Sequence, residues 1–212
     1  MKPAFFIAIF ILLVVPLILI NQNTPILSFF AYSNQEQVFF LQRATGLYGF
    51  TLIFLQIVLG SGRTWLSQFF PSSKVITWHK TIGKIALLAI ISHPFLAFFI
   101  PSFLPEFFQN NPLGFLAGTA AFALIMATVF SALLAAKIGP AWIKIHRFNY
   151  LVFVLILFHS WQIGADTHNS LAILWQATLG LVVGFLFAKK LLGWMRKPLV
   201  QSVSKESNPT QN

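Results

Sequence analysis

Cysteine is absent from the 212-residue sequence, which excludes disulfides, thiolate-held iron–sulfur clusters, covalently attached c-type haem and a cysteine nucleophile. Charge is scarce as well: 8% of the residues are Asp, Glu, Lys or Arg, and only four are acidic. A soluble domain of this length needs far more charge to cover its surface. With 57% hydrophobic residues and a mean hydropathy of +0.79, composition alone makes the chain a membrane protein. A net charge of +10 on a soluble protein would suggest nucleic acid. Here the basic residues fall between apolar runs, so they read as positioning against a membrane, and no nucleic-acid partner is expected.

What is present is a series of long apolar runs. A helix crossing a hydrocarbon core of about 30 Å needs about 20 such residues. The first run, 4–20, follows Lys2 as in a signal peptide, but Asn21, Gln22 and Asn23 come next in place of a small-residue cleavage pattern. It is therefore read as a retained first helix. Further runs cover 44–59, 77–100, 113–136, 148–164 and 171–188. Turn signals separate them at Gly60-Ser61-Gly62, Pro101 through Pro112, Gly139-Pro140, and Asp166 to Asn169. The expected fold is an all-α integral membrane protein, a bundle of six transmembrane helices over residues 1–197. The polar stretch 198–212 reads as a disordered cytoplasmic tail.

Lys and Arg orient the bundle. With the N-terminus inside, Arg63, Lys74, Lys80 and Lys84 surround an inner connection, and Lys137, Lys144 and Arg147 another. Lys189, Lys190, Arg196, Lys197 and Lys205 follow the sixth helix on the same side. Only Arg43 falls outside, where the loops carry Glu36, Glu106, Asp166 and His168. By this positive-inside division both termini are expected in the cytoplasm, and the chain reads as a multi-pass protein of the bacterial cytoplasmic membrane.

Four of the five histidines form two sets. His79 and His93 lie on the third helix in WHKTIGKIALLAIISHP; His146 and His159 lie on the fifth in IHRFNYLVFVLILFHS. Spacings of 14 and 13 residues separate the imidazoles by about 21 and 20 Å along each axis. Both helices run from inside to outside, so His79 meets His146 at the inner level and His93 meets His159 at the outer level. Two axial imidazoles at one level are what a six-coordinate haem iron requires. Two b-type haems are therefore expected, stacked across the bilayer and suited to electron transfer. On an ideal helix 14 residues return the second imidazole to within about 40°, but 13 leave it about 140° away. The fifth helix must bend or change its winding, or His146 must sit in a non-ideal first turn.

Neighbouring residues have two readings each. Pro94 frees the Ile90 carbonyl, which either accepts from the non-ligating nitrogen of His93 or merely marks a kink. Lys80, Lys84, Lys144 and Arg147 meet haem propionates or act only as positive-inside residues. Arg43 points to an outer-haem propionate or an anionic acceptor, or else snorkels to the interface. Gly46 and Gly49 allow a porphyrin or another helix to approach closely, whereas Gly114/Gly118 and Gly180/Gly184 read as helix packing without chemistry. Phe153, midway between His146 and His159, lies between the porphyrins or in the core. His168 reads as a solvated loop residue.

The two histidine segments, with the RATG segment at Arg43–Gly46, resemble the ferric reductase-like transmembrane domain family, which includes ferric reductases and NADPH oxidases. The resemblance spans the second to sixth helices. It implies a six-helix haem core with His79, His93, His146 and His159 as axial ligands to haem iron, and Arg43 close to the outer haem. It implies ferric reductase-like transfer from a cytoplasmic-side donor to an outer-side acceptor, as the haem-carrying membrane component of an oxidoreductase. The family's larger members continue into FAD and NADPH domains, for which the residues after the sixth helix are too few; no Gly-rich phosphate loop follows a strand. The expected donor is therefore separate: a flavoprotein, a free reduced flavin or a quinol, any flavin being supplied by that partner. The chain is also similar, around IHRFNYLVFVL, to the haem-binding membrane subunit of the periplasmic methionine sulfoxide reductase system. That subunit typically lacks a histidine at the place of His79.

Overall fold

The computed structural model describes residues 2–100 and 103–206, with side chains described over 3–100, 105–106 and 108–193. Among the described residues every regular element except one 3-10 stretch is an α-helix, and there is no strand. Six helical segments are long and apolar enough to cross a membrane. They are α1 (Lys2–Asn23), α2 (Asn34–Ser61), α4 (Ser72–Ala97), α6 (Pro112–Leu133), the pair α8 (Ala141–His146) and α9 (Asn149–Ile163), and the first part of α10 (Ser170–Glu206). Short helices α3 (Arg63–Leu66), α5 (Phe103–Asn110) and α7 (Ala135–Ile138) lie in connections that the sequence marks only as turns.

Helix ends follow local chemistry. α2 begins ten residues before its apolar run because Ser33 and Glu36 form a reciprocal cap: Glu36 N–H donates to Ser33 Oγ at 3.4 Å and Ser33 N–H to Glu36 Oε2 at 2.8 Å. α10 continues through position 198 to Glu206, where the sequence reading expects a disordered tail; residues 207–212 of that tail lie outside the described ones. The fifth span is interrupted. Gly139, at φ +58, turns the chain into Pro140, α8 ends at His146, and Phe148 N–H bonds the Ile145 carbonyl three residues back before α9 starts. This is the non-ideal first turn, and it lets a 13-residue spacing place both imidazoles on one side.

Apolar side chains gain little by leaving hydrocarbon for another helix, so association rests on close approach and van der Waals contact. α2 is central, with Phe50, Ile53 and Phe54 buried against Phe153 of α9 and Trp175 and Leu179 of α10. It packs along α4 as one antiparallel hairpin, while α6 packs along α9 as a second. Small residues set both contacts: a Cβ at Gly49 would lie 3.4 Å from Ile90, and one at Gly114 would lie 2.7 Å from Gln162. The outward faces carry exposed Leu88, Phe98, Leu133 and Phe185, as a lipid-facing surface requires.

The end of the bundle that carries Arg43 is held by a buried polar group. Arg43 Nε donates to Asp166 Oδ2 at 2.7 Å, a second guanidinium nitrogen donates to Asp166 Oδ1, and Nη1 donates to Thr24 Oγ1 at 2.9 Å. Asn23 Nδ2 adds a bond to Asp166 Oδ1 at 2.8 Å. These contacts fasten α1, α2 and the loop after α9 together. Both side chains are almost fully buried, at 6% and 3% exposure, so neither charge can be solvated alone. Asp166→Ala should cost about 3–5 kcal/mol, chiefly from the stranded guanidinium. The check is the thermal midpoint of the purified protein, with Asp166→Asn as the milder comparison.

Candidate functional site

The histidines are brought together in the expected pairs. His79 and His146 have ring centroids 6.2 Å apart at an interplanar angle of 72°; His93 and His159 are also 6.2 Å apart, at 86°. All four are half-buried. The pairs sit at two depths, set by the 14-residue interval on α4, about 21 Å along the axis. Among the described residues no group of three or more His, Asp or Glu gathers at one point.

Each imidazole leans on a neighbouring helix through its Nδ1. His93 Nδ1 bonds the Gln42 carbonyl of α2 at 2.9 Å, and His159 Nδ1 bonds the Gly114 carbonyl of α6 at 2.9 Å. His146 Nδ1 reaches the Thr128 carbonyl of α6 at 3.5 Å, and His79 Nδ1 faces the Gln56 carbonyl of α2 without closing a hydrogen bond. The Ile90 carbonyl freed by Pro94 is therefore not the partner of His93. The carbonyl it uses belongs to another helix, because the ring points away from α4 toward α2.

A helix carbonyl points along the axis toward residue i+4, so a ring reaching it must pass over that residue. Position i+4 is Gly46 after Gln42, Gly60 after Gln56, Gly118 after Gly114, and Ala132 after Thr128. A Cβ at Gly46 would lie 2.8 Å from His93 Cε1 and Nδ1. One at Gly118 would lie 2.6 Å from His159 Cε1 and closer still to Nδ1. At Gly60 the nearest ring atom is His79 Cε1, an ordinary 3.4 Å away. Where the residue is Ala132, the imidazole stands farthest from its carbonyl among the three that reach one. Gly118 thus serves a histidine, where the sequence reading gives it helix packing alone.

The four cradles form an internal repeat. Gln42, Gly46, Gln56 and Gly60 of α2 match Gly114, Gly118, Thr128 and Ala132 of α6, each 72 residues later, and buried Ile53 matches buried Ile125 at the same shift. The signal in the sequence was a small residue recurring at intervals of 14, the interval that separates His79 from His93.

Other candidates are placed as follows. Arg43 meets an anion, but an internal one, Asp166, and its guanidinium also stands 5.4 Å over the Phe39 ring. Arg43 follows Gln42, whose carbonyl holds His93, and Thr167 Oγ1 donates to the Ser160 carbonyl next to His159 at 2.8 Å. The Arg43–Asp166 group therefore braces both histidines at this end. At the other end Asn149 Nδ2 donates to His146 Nε2 at 3.3 Å, and Asn149 Oδ1 accepts from Thr128 Oγ1 at 2.9 Å. Asn149 was not singled out from sequence. Phe153 is fully buried and stacks on Phe50 at 5.2 Å, a packing position between the two levels. His168 is exposed.

No family model, no curated protein and no solved structure matches the chain.

Proposed function

We propose that this chain is a transmembrane electron-transfer protein holding two b-type haems, one between His79 and His146 and one between His93 and His159. One observation carries the reading: two histidine pairs at two depths, each with ring centroids 6.2 Å apart. A metal–imidazole bond of about 2.0–2.1 Å on each side, plus about 1.1 Å from nitrogen to ring centre, puts two axial imidazoles about 6.3 Å apart. A donor set of two suits an iron porphyrin, whose macrocycle supplies the other four nitrogens. Such an iron exchanges single electrons and keeps no position for substrate.

The protein's own groups prepare the ligands. Bonding Nδ1–H to a carbonyl fixes the tautomer that leaves Nε2 free to bind metal. The bond that Asn149 donates to His146 Nε2 is long, at 3.3 Å, and would give way if that nitrogen held a metal. The distribution of Lys and Arg supports an orientation with both termini cytoplasmic, His79 and His146 inside, and His93 and His159 outside. Electrons then pass from a cytoplasmic-side donor (a flavoprotein, free reduced flavin or quinol) to an outer-side acceptor such as a ferric chelate. A multi-pass location in the bacterial cytoplasmic membrane belongs to this reading.

Purified protein should give about two haems per chain by pyridine haemochrome, with a Soret band that shifts on reduction. Absence of haem from protein expressed with haem supplied ends the proposal.

A further inference from the structure

Between α9 and the first part of α10 lies a cavity of about 480 Å³ that none of the four paired histidines lines, although Lys144 and Arg147 at its rim flank His146 in the chain. Leu151, Val154 and Leu157 form one wall; Val183 and Phe187 form the other. Its floor is the Gly180/Gly184 pair. A spacing of four between glycines ordinarily lets two helices touch, but a Cβ at Gly184 would meet no atom within 4 Å, and one at Gly180 only Leu157 at 3.5 Å. The missing side chains keep a groove open instead of closing a contact.

One end of this groove is cationic. Lys144 and Arg147 line it, and Lys190 of α10 lies near enough to Arg147 and His146 for their charges to interact. The acids whose side chains are described lie elsewhere. Glu36, Glu106 and Asp166 belong to the opposite end, and Asp166 is engaged by Arg43. Glu206 is 16 residues beyond Lys190, about 24 Å along a helix. Lys144 and Lys190 have no ion pair with an acid among the described residues. A trough walled by Leu, Val and Phe that opens on three cations complements a molecule with an apolar tail and an anionic head.

We propose that this groove is a binding site for an anionic phospholipid, with an acyl chain lying over Gly180 and Gly184 and the phosphate among Lys144, Arg147 and Lys190. Snorkelling cations at the interface would hold the headgroup, with its phosphate facing Lys144 and Lys190, neither of which pairs with an acid among the described residues. None of the four haem-ligand candidates lines the groove, and the cations assigned to a lipid phosphate include Lys144 and Arg147, whose other reading is a haem propionate.

The test uses the full chain in a neutral detergent, with dioleoyl-phosphatidylglycerol, dioleoyl-phosphatidylcholine or glycerol 1-phosphate added in separate arms. Phosphatidylglycerol should raise the thermal midpoint by at least about 3 °C and remain bound, one per chain, in native mass spectrometry. Phosphatidylcholine should do neither. Gly184→Leu fills open space, so it should keep the lipid-free midpoint and lose the phosphatidylglycerol shift. Lys144→Gln with Lys190→Gln should reduce that shift to the phosphatidylcholine level, and it decides the matter if Gly184→Leu does not fold. Equal shifts with both lipids overturn the proposal, as does a full shift with glycerol 1-phosphate, which would mark a plain phosphate site. Retention of the shift in both variants overturns it as well.

Discussion

His93→Ala and His159→Ala should each lower the haem content of the purified protein from about two per chain to about one, and His79→Ala and His146→Ala should each remove the other haem. The expectation rests on depth. Residues 79 and 93 are about 21 Å apart along α4, well beyond the distance at which substitutions cease to share partners. Truncating His93 frees the Gln42 carbonyl and opens space beside Gly46, but it leaves the Thr128–Asn149–His146 contacts at the other level intact. Pyridine haemochrome gives the stoichiometry. A double variant, His93→Ala with His159→Ala, should match either single variant, since both remove the same site. Loss of both haems from a single variant that still folds would sink the assignment of separate levels. An unchanged content in all four would sink the ligand assignment itself.

Depth was legible in the sequence because it depends only on residue spacing and the rise of a helix. Hence the pairing of His79 with His146 and of His93 with His159 could be read without knowing which faces meet. Azimuth was not legible. The 13-residue interval showed that something irregular lay between His146 and His159, but the choice among a bend, rewinding and a displaced first turn depended on Gly139 and on one 3-10 bond at Phe148. Partners of the imidazole Nδ1 atoms were hidden for another reason. A backbone carbonyl has no letter of its own, and only the small residue four positions later betrays one that has been left accessible. Arg43 was read as needing an anion, and only three acids lie at its end, so Asp166 was within reach of the argument. What the sequence did not supply was the fold of the 164–169 loop that delivers it. The early start of α2 was readable from Ser33 and Glu36 as a capping pair, but their position outside the apolar run concealed it.

Gly118→Val should abolish the proposed haem site at His93 and His159 while leaving the one proposed at His79 and His146 filled. A Cβ at 118 would overlap the His159 ring, whose Cε1 would stand 2.6 Å away. The ring has no slack, because its Nδ1 is already bonded to the Gly114 carbonyl at 2.9 Å on the same helix. Either the imidazole leaves that carbonyl or α6 and α9 separate. The second is resisted at the next turn, where Gly114 abuts Gln162 and Ile163. The first loses a hydrogen bond of about 1 kcal/mol and the fixed tautomer, and overpacking adds about 1–3 kcal/mol. Substitution of a residue that orients a metal ligand typically costs 10–100-fold in affinity, and here the ligand atom itself is displaced. Gly118→Ala should act in the same direction and less strongly, partly offset by alanine's helix propensity of about 1 kcal/mol over glycine. Gly46→Ala should resemble it at His93, where the contact would be 2.8 Å, whereas Gly60→Ala should be mild, since its Cβ would meet His79 at 3.4 Å. The order Gly118, Gly46, Gly60 in haem loss separates a steric cradle from a general loss of helix packing. General loss would instead place Gly114→Ala ahead of Gly46→Ala, because its Cβ would strike Gln162 at 2.7 Å, a contact with no histidine, against 2.8 Å at Gly46.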